Sequence, residues 1–223
     1  MSLRNKRILI TAGPTWIAID KVRVISNTAT GATGKLLANQ FSNKGAKVTL
    51  LINAENKCCL NKKIRILPFQ FFGQLNEYIQ DELSRRTYDI CVHSAAVSDY
   101  KPVKISTGKI SSDRKLLRLG LKPTLKIINR IKKIDSSLFL VGFKYEPDKN
   151  KDTLIREARK LMDNSKADIV VANTSGKNGY RAYIIRKNRV FYGPLRNKPE
   201  MIKNLLKAIN SSFSLKKTLQ QAN

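Results

Sequence analysis

The sequence is poor in the residues from which many sites are built. It holds one histidine, three cysteines and one tryptophan, and its 16 acidic residues stand against 43 lysines and arginines. Cys58, Cys59 and Cys91 have no metal-ligand spacing and, being odd in number, form no disulfide framework; this fits a reducing, cytoplasmic compartment. No Ser/His/Asp constellation stands out around His93, which lies in a strand-like run beside Ser94 and reads as a core or strand-end histidine rather than a general base. No apolar run reaches the roughly 18 residues of a membrane span. The basic and apolar start of the chain is followed by no small-residue cleavage site, so it does not read as a signal peptide.

Two glycine patterns are also missing. A dinucleotide fingerprint needs Gly-x-Gly-x-x-Gly directly after the first strand, but Gly13-Pro14-Thr15 stands there and Gly31 and Gly34 come much later. NAD is disfavoured on that ground, and an NADP-dependent reductase with a variant loop stays open as an alternative. No Gly-Lys-Ser/Thr completes a Walker A loop.

What is present is enough for one α/β domain with a real core over residues 1–223. A net charge of +27 implies polyanionic company, either nucleic acid or phosphorylated small molecules. Lysines fall in nearly every predicted helix and turn, and the signatures of an RRM, a zinc finger and a basic heptad region are absent. The excess reads as solvation plus one phosphate-binding cleft, with a basic nucleic-acid-binding protein as the alternative.

Along the chain, Arg7 to Ala12 reads as a buried parallel strand. Lys35 to Lys44 forms a helix presenting Leu36, Leu37 and Phe41, and Lys47 to Asn53 forms the next strand. Strands follow at Ile64 to Phe69, Tyr88 to Ala95, Leu138 to Phe143 and Asp168 to Ala172, separated by helical stripes through Leu75–Leu83 and Leu154–Met162. Pro123 is expected to open a further helix at its first position, carrying Leu125, Ile128 and Ile131. Val97 to Asp113 reads as a long surface loop, of the kind that is usually functional. Tyr180–Arg186 and Arg189–Tyr192 flank a Lys187-Asn188 turn as a hairpin, a helix through Met201–Ile209 closes the fold, and residues 211–223 read as a loose tail. The sum is a Rossmann-like, mostly parallel α/β sheet with helices on both faces, a C-terminal hairpin and a long flap. Ligands of such sheets lie outside the carboxyl ends of the strands, where Gly13–Thr15, Ser26–Gly34, Ala95–Lys109 and Phe143–Glu146 fall.

The stretch Asp20 to Gly34, with Ser26, Thr28, Thr30, Thr33 and two glycines before a helix, offers backbone N–H groups to a phosphate or carboxylate. Asp99 follows Ala95-Ala96 and is placed either to hold ribose, base or Mg²⁺ or simply to cap its loop.

Read together, ILITAGPTWIAIDKVRVISNTATGATG (Ile8 to Gly34), AAVSDYKP (Ala95 to Pro102), GKI (Gly108 to Ile110), LVGFKYE (Leu140 to Glu146) and ADIVVAN (Ala167 to Asn173) resemble the phosphopantothenate-cysteine ligases, also called phosphopantothenoylcysteine synthetases. The resemblance runs from residue 7 to about residue 186. It implies activation of the carboxylate of 4′-phosphopantothenate by CTP or ATP with Mg²⁺, attack by L-cysteine on the acyl-nucleotide, and a homodimer whose acyl site is completed by the partner subunit. It also implies a stand-alone ligase of coenzyme A biosynthesis, with a separate decarboxylase acting downstream.

By resemblance, Asn27 and Lys109 are the catalytic pair. Arg23, Asn27, Gly31, Ala95, Ala96 and Asp99 bind substrate. Gly13, Ser94, Asp99, Lys109, Pro123, Thr124, Leu125, Lys126, Phe143, Lys160 and Lys166 bind nucleotide, and no metal ligand is singled out. The chain departs from the family pattern at Ser111 and Ser112, where lysines are common, leaving Arg114 or Lys104 to supply charge. It departs again at Ala32-Thr33, in place of Lys-Met, and at Trp16, in place of an arginine.

Overall fold

The computed structural model describes residues 3–56, 60–113, 115–177, 179–187 and 189–221, without the side chains of 190, 191 and 213–221. Cys58, Cys59 and Arg114, and Asn188 of the hairpin turn, lie outside the described residues.

Six strands form a parallel sheet: β1 (Arg7–Ala12), β4 (Lys47–Asn53), β5 (Arg65–Phe69), β6 (Ile90–His93), β9 (Phe139–Tyr145) and β10 (Ile169–Thr174). The antiparallel strands β11 (Arg181–Arg186) and β12 (Arg189–Leu195) extend one edge, so the order is β12-β11-β10-β9-β6-β1-β4-β5. This is the expected α/β architecture.

Alternation along the strands explains the layering. Ile8, Ile10, Ile169 and Val171 face the core shared with α1 (Ala32–Asn43) and α5 (Lys198–Gln221). Leu9, Leu140, Val170 and Ala172 face the other core, under α2 (Phe72–Arg85), α3 (Ile128–Ile134) and α4 (Lys151–Ser165). Phe41, Leu37, Leu75 and Ile79 are almost wholly buried, each contributing about 1.5–3 kcal/mol of burial free energy.

Beyond this frame lie two short arms. β2 (Trp16–Ala18) pairs with β3 (Val24–Ser26), and β7 (Tyr100–Pro102) pairs with β8 (Leu121–Pro123), both antiparallel. Pro123 therefore does not open a helix. It pairs with Tyr100 at the end of β8, while the Thr124 N–H and hydroxyl donate to Asp99 O and Ser98 O, and α3 begins only at Ile128. These bonds hold the segment extended, and a proline also pushes the residue before it away from helical geometry. The flap region likewise contains β7 rather than being loop throughout.

Helix α1 starts at Ala32, earlier than Lys35. Helical backbone also continues to Gln221 through the segment expected as a loose tail. The Ser211 hydroxyl bonds back to Ala208 O and is absorbed by the helix instead of ending it. Among the described residues, no helix is long and apolar enough to cross a membrane.

Candidate active site

Strand β1 lies between β4 and β6, so the chain leaves β1 towards one side of the sheet and returns through β6 on the other. A crevice must open at the carboxyl ends of these two strands, the usual ligand position in such sheets. The segments lining it are tied together. Ala96 N donates to Gly13 O (2.9 Å) and Thr15 N donates to Ala96 O (3.2 Å), extending the β1–β6 pairing past the strand ends. The Ser94 hydroxyl donates to Thr11 O at 2.7 Å.

Beneath the crevice, the Thr15 hydroxyl donates to Ser98 Oγ and accepts from Ser98 N, Ser98 Oγ donates to Thr15 O, and Thr124 Oγ1 donates to Ser98 O. All three residues are buried. Asn53, also buried, donates to Pro14 O at 2.9 Å. Sequence reasoning singled out Thr124 but missed its bonding to Ser98 and Thr15, and missed Asn53, because single polar residues in a loop or at a strand end carry no periodic signal.

Helix α1 enters the crevice very closely. A Cβ on Gly34 would lie 2.4 Å from Ala12 Cβ and 2.9 Å from Ser94 Oγ. Gly31, at φ +68°, caps the helix without a side chain, and a Cβ there would lie 3.1 Å from Gly13 N. Gly31 gives the first turn of α1 no side-chain cap, and the side-chain bond there is a long one from Ala32 N to Thr30 Oγ1 (3.4 Å); such helix starts favour anions.

Asn27 stands before that helix, exposed, with Nδ2 donating to Ala96 O at 3.1 Å. Arg23 lies at the turn between β2 and β3, its Nη1 donating to Asp20 Oδ2 (2.9 Å) and Ile110 O (3.2 Å). Ile110 N donates to Asp20 Oδ2 at 3.0 Å. The Ile110 N–H, followed by the Val22 N–H, holds the Asp20 carboxyl below its usual pKa, against the opposing effect of burial. Lys109, next in chain, is exposed. Asp99 is exposed and ion-paired with Lys126.

Phe143 sits at the carboxyl end of β9, half-buried against the α1/α5 core. Ala95 and Ala96 are half-buried, while Pro123 and Leu125 are exposed on the β8–α3 connection. The structure thus gathers Gly13, Arg23, Asn27, Gly31, Ser94–Ala96, Asp99, Lys109, Pro123–Lys126 and Phe143 at one edge of the sheet. It does not bring Lys160 and Lys166 there. Lys160 pairs with Glu157 on the outer surface of α4, and Lys166 ends that helix in the left-handed conformation just before β10, at the amino edge. The order of that helix and the parallel strand after it already implies the amino edge, which the motif match alone does not carry.

His93 is buried at the end of β6, with Nδ1 3.0 Å from Thr11 Oγ1; burial pushes its pKa down to about 4, so it is neutral at pH 7. Among the described residues, no group of three or more His, Cys, Asp or Glu is gathered for a metal ion.

The strand order defines a doubly wound, Rossmann-like α/β protein, and the carboxyl edge of its sheet is the candidate ligand site. The chain belongs to the family described as the DNA/pantothenate metabolism flavoprotein C-terminal domain, whose model matches residues 3–212. It is 38% identical over 174 residues to the Coenzyme A biosynthesis bifunctional protein CoaBC of Thermococcus kodakarensis, covering 78% of this chain and 42% of that protein. It is 31% identical over 214 residues to the protein of the same name from Borreliella burgdorferi, covering 93% and 53%. The chain therefore spans about half the length of the curated relatives it matches. Among solved structures, the DNA/pantothenate metabolism flavoprotein from Streptococcus pneumoniae aligns with a TM-score of 0.82 at 29% identity, over 92% of this chain and 99% of that one. A Cab2 H337A complex with phosphopantothenate-cysteine shares the fold, with a TM-score of 0.78 at 20% identity over 96% and 89% of the two chains.

Proposed function

We propose that this chain is a phosphopantothenate-cysteine ligase acting through an acyl-nucleotide. A carboxylate oxygen of 4′-phosphopantothenate attacks the α-phosphorus of a nucleoside triphosphate and pyrophosphate leaves. The amine of L-cysteine then attacks the acyl carbon, loses a proton, and expels the nucleoside monophosphate to give phosphopantothenoylcysteine. The observation that carries this proposal is the convergence of Asn27, the Gly31 start of α1 and the Lys109 flap on one crevice, in a family with relatives named for coenzyme A biosynthesis.

In this scheme Asn27, held by Ala96, offers its remaining amide hydrogen and its oxygen to the mixed anhydride. Lys109 neutralises charge growing on the α-phosphate, where a fixed donor is worth most. Arg23 directs the rest of its fork to the acyl substrate, and Asp99, Lys126 and Phe143 bound the nucleotide. Mg²⁺ would accompany the triphosphate and make pyrophosphate a competent leaving group, with the exposed Asp99 carboxylate the residue that would hold it beside the phosphate oxygens. CTP is the favoured nucleotide and ATP the alternative.

A homodimer is part of the proposal. The β7–β8 arm and its flap expose Val103, Ile105, Leu116, Leu119 and Leu121, and a surface of that kind is normally covered by a partner. The arm adjoins the crevice through Asp99, so a second copy seated there would help to complete the site. The whole chain is taken as one ligase domain working in the cytoplasm, with a separate decarboxylase consuming its product. The test is pyrophosphate release with each of the four nucleoside triphosphates. Release should require both 4′-phosphopantothenate and Mg²⁺ and should run to full turnover only with L-cysteine. NADPH protection against unfolding, with none from CTP or ATP, would instead support a reductase.

A further inference from the structure

Asp20 has no exposed side-chain surface, which is rare for a carboxylate and tolerable only when its hydrogen bonding is complete. Its Oδ1 accepts from Val22 N (2.9 Å) and Arg23 N (2.8 Å), bonds local to its own turn. Its Oδ2 accepts from Arg23 Nη1 and from Ile110 N, and Ile110 lies 90 residues away in the flap. The Ile110 carbonyl accepts from the same Arg23 Nη1. One ion pair, its carboxylate buried and its guanidinium partly exposed, thus grips both backbone groups of a single flap residue. Ser106 N donates to Ile19 O at 3.0 Å, so the flap lies along the turn before β3 from Ser106 to Ile110. Past that point the described polar side chains bond to one another, with Ser111 Oγ donating to Asp113, and Lys109 is one residue from the fixed point.

We propose that Asp20 is a positioning residue that latches the Lys109 flap to the Arg23 turn. The latch couples the ligand proposed to lie near Arg23 and Asn27 to the placement of Lys109, because the guanidinium assigned above to the acyl substrate is the one that holds Ile110. The coupling to chemistry rests on the ligase reading, while the latch stands on geometry alone. Neutralising Asp20 leaves the Ile110 N–H and the Arg23 charge with a poorer acceptor, and losses at a buried charged acceptor are larger than at a neutral one.

The test compares Asp20→Asn and Ile110→Pro with the unaltered full chain. Ile110→Pro removes the N–H from the flap side and leaves the Asp20 turn intact. Trypsin cleavage of the flap after the exposed Lys104, the site followed in every chain because proline at 110 blocks cleavage after Lys109, should speed up without substrates at least ~10-fold in each variant, and in the double variant no further, since both break one bond network. Pyrophosphate release per folded protein, with the folded fraction taken from circular dichroism and the melting curve, should slow by a similar factor while KM for L-cysteine stays within about two-fold; a general loss of folded protein would vanish on that normalisation. Wild-type cleavage rates in folded Asp20→Asn, or in Ile110→Pro should the first variant fail to fold, would overturn the latch. Should the unaltered chain make no phosphopantothenoylcysteine, the ligase reading fails, while the cleavage comparison still decides the latch.

Discussion

The side-chain amide of Asn27 donates to the carbonyl of Ala96 at 3.1 Å, joining the loop before α1 to the segment after β6 across 69 residues of sequence. Ala96 is itself bonded to Gly13 and Thr15, so Asn27 is referenced to the rigid ends of two central strands. An amide can make this bond and still offer a donor and an acceptor to a ligand; a carboxylate only accepts, so it can donate neither to the Ala96 carbonyl nor to a ligand. Asn27→Asp is therefore expected to lower kcat by roughly 10²- to 10³-fold, the scale of losing one fixed donor at a reacting centre. Thermal unfolding should show little change, because the residue is exposed. Steady-state kinetics beside a melting curve checks both halves.

Lys109 is exposed and takes no part in the sheet. Lys109→Gln should leave the melting temperature unchanged and slow formation of the acyl-nucleotide by about 10²-fold. Attack by cysteine on intermediate already formed should be far less affected. Rapid-quench measurement of pyrophosphate in the first turnover separates the two steps.

The acid side of the stability curve should carry the signature of one imidazole. His93 is the sole histidine, and burial lowers its pKa from 6.5 to about 4. Between those values the unfolded chain binds the proton and the folded chain does not. This contribution to stability is complete above pH 6.5 and is lost as pH falls towards 4. The difference is on the order of 3 kcal/mol at about 1.4 kcal/mol per pH unit. Urea titrations at pH 7 and pH 4.5 should show a smaller loss in His93→Gln than in the unaltered protein, and the single imidazole resonance should not titrate near pH 6.5.

Gly34→Ala tests the closeness of α1 to the strand ends. The new Cβ would sit 2.4 Å from Ala12 Cβ, so the helix or the strand end must move. Overpacking of this kind costs about 1–3 kcal/mol, despite the better helix propensity of alanine. Denaturant unfolding measures the loss directly.

The sheet was readable wherever burial on both faces left an uninterrupted apolar run, which is why Arg7–Ala12 and Lys47–Asn53 match β1 and β4 end to end. The arms were not. β2, β3, β7 and β8 are three residues each, too short for periodicity, and are held by pairings such as Tyr100 with Pro123. At the candidate site, motifs in family order singled out Asn27, Ala96 and Asp99, which the fold gathers at one edge. Asp20 stayed without a role because half of what defines it is the N–H of Ile110. Lys160 and Lys166 show the converse: a motif match alone pointed to them, while the helix-then-strand order of the same stretch already sets the end of α4 at the amino edge of a parallel sheet.

The most direct measurement of the central claim follows oxygen from the acyl substrate. With 4′-phosphopantothenate labelled with ¹⁸O in its carboxylate, the oxygen that attacks phosphorus must leave with the nucleotide when cysteine displaces it. Mass spectrometry should find one ¹⁸O in the nucleoside monophosphate, CMP if CTP is the substrate, together with unlabelled pyrophosphate. Unlabelled monophosphate, or a nucleoside diphosphate with labelled inorganic phosphate, would contradict an acyl-nucleotide route.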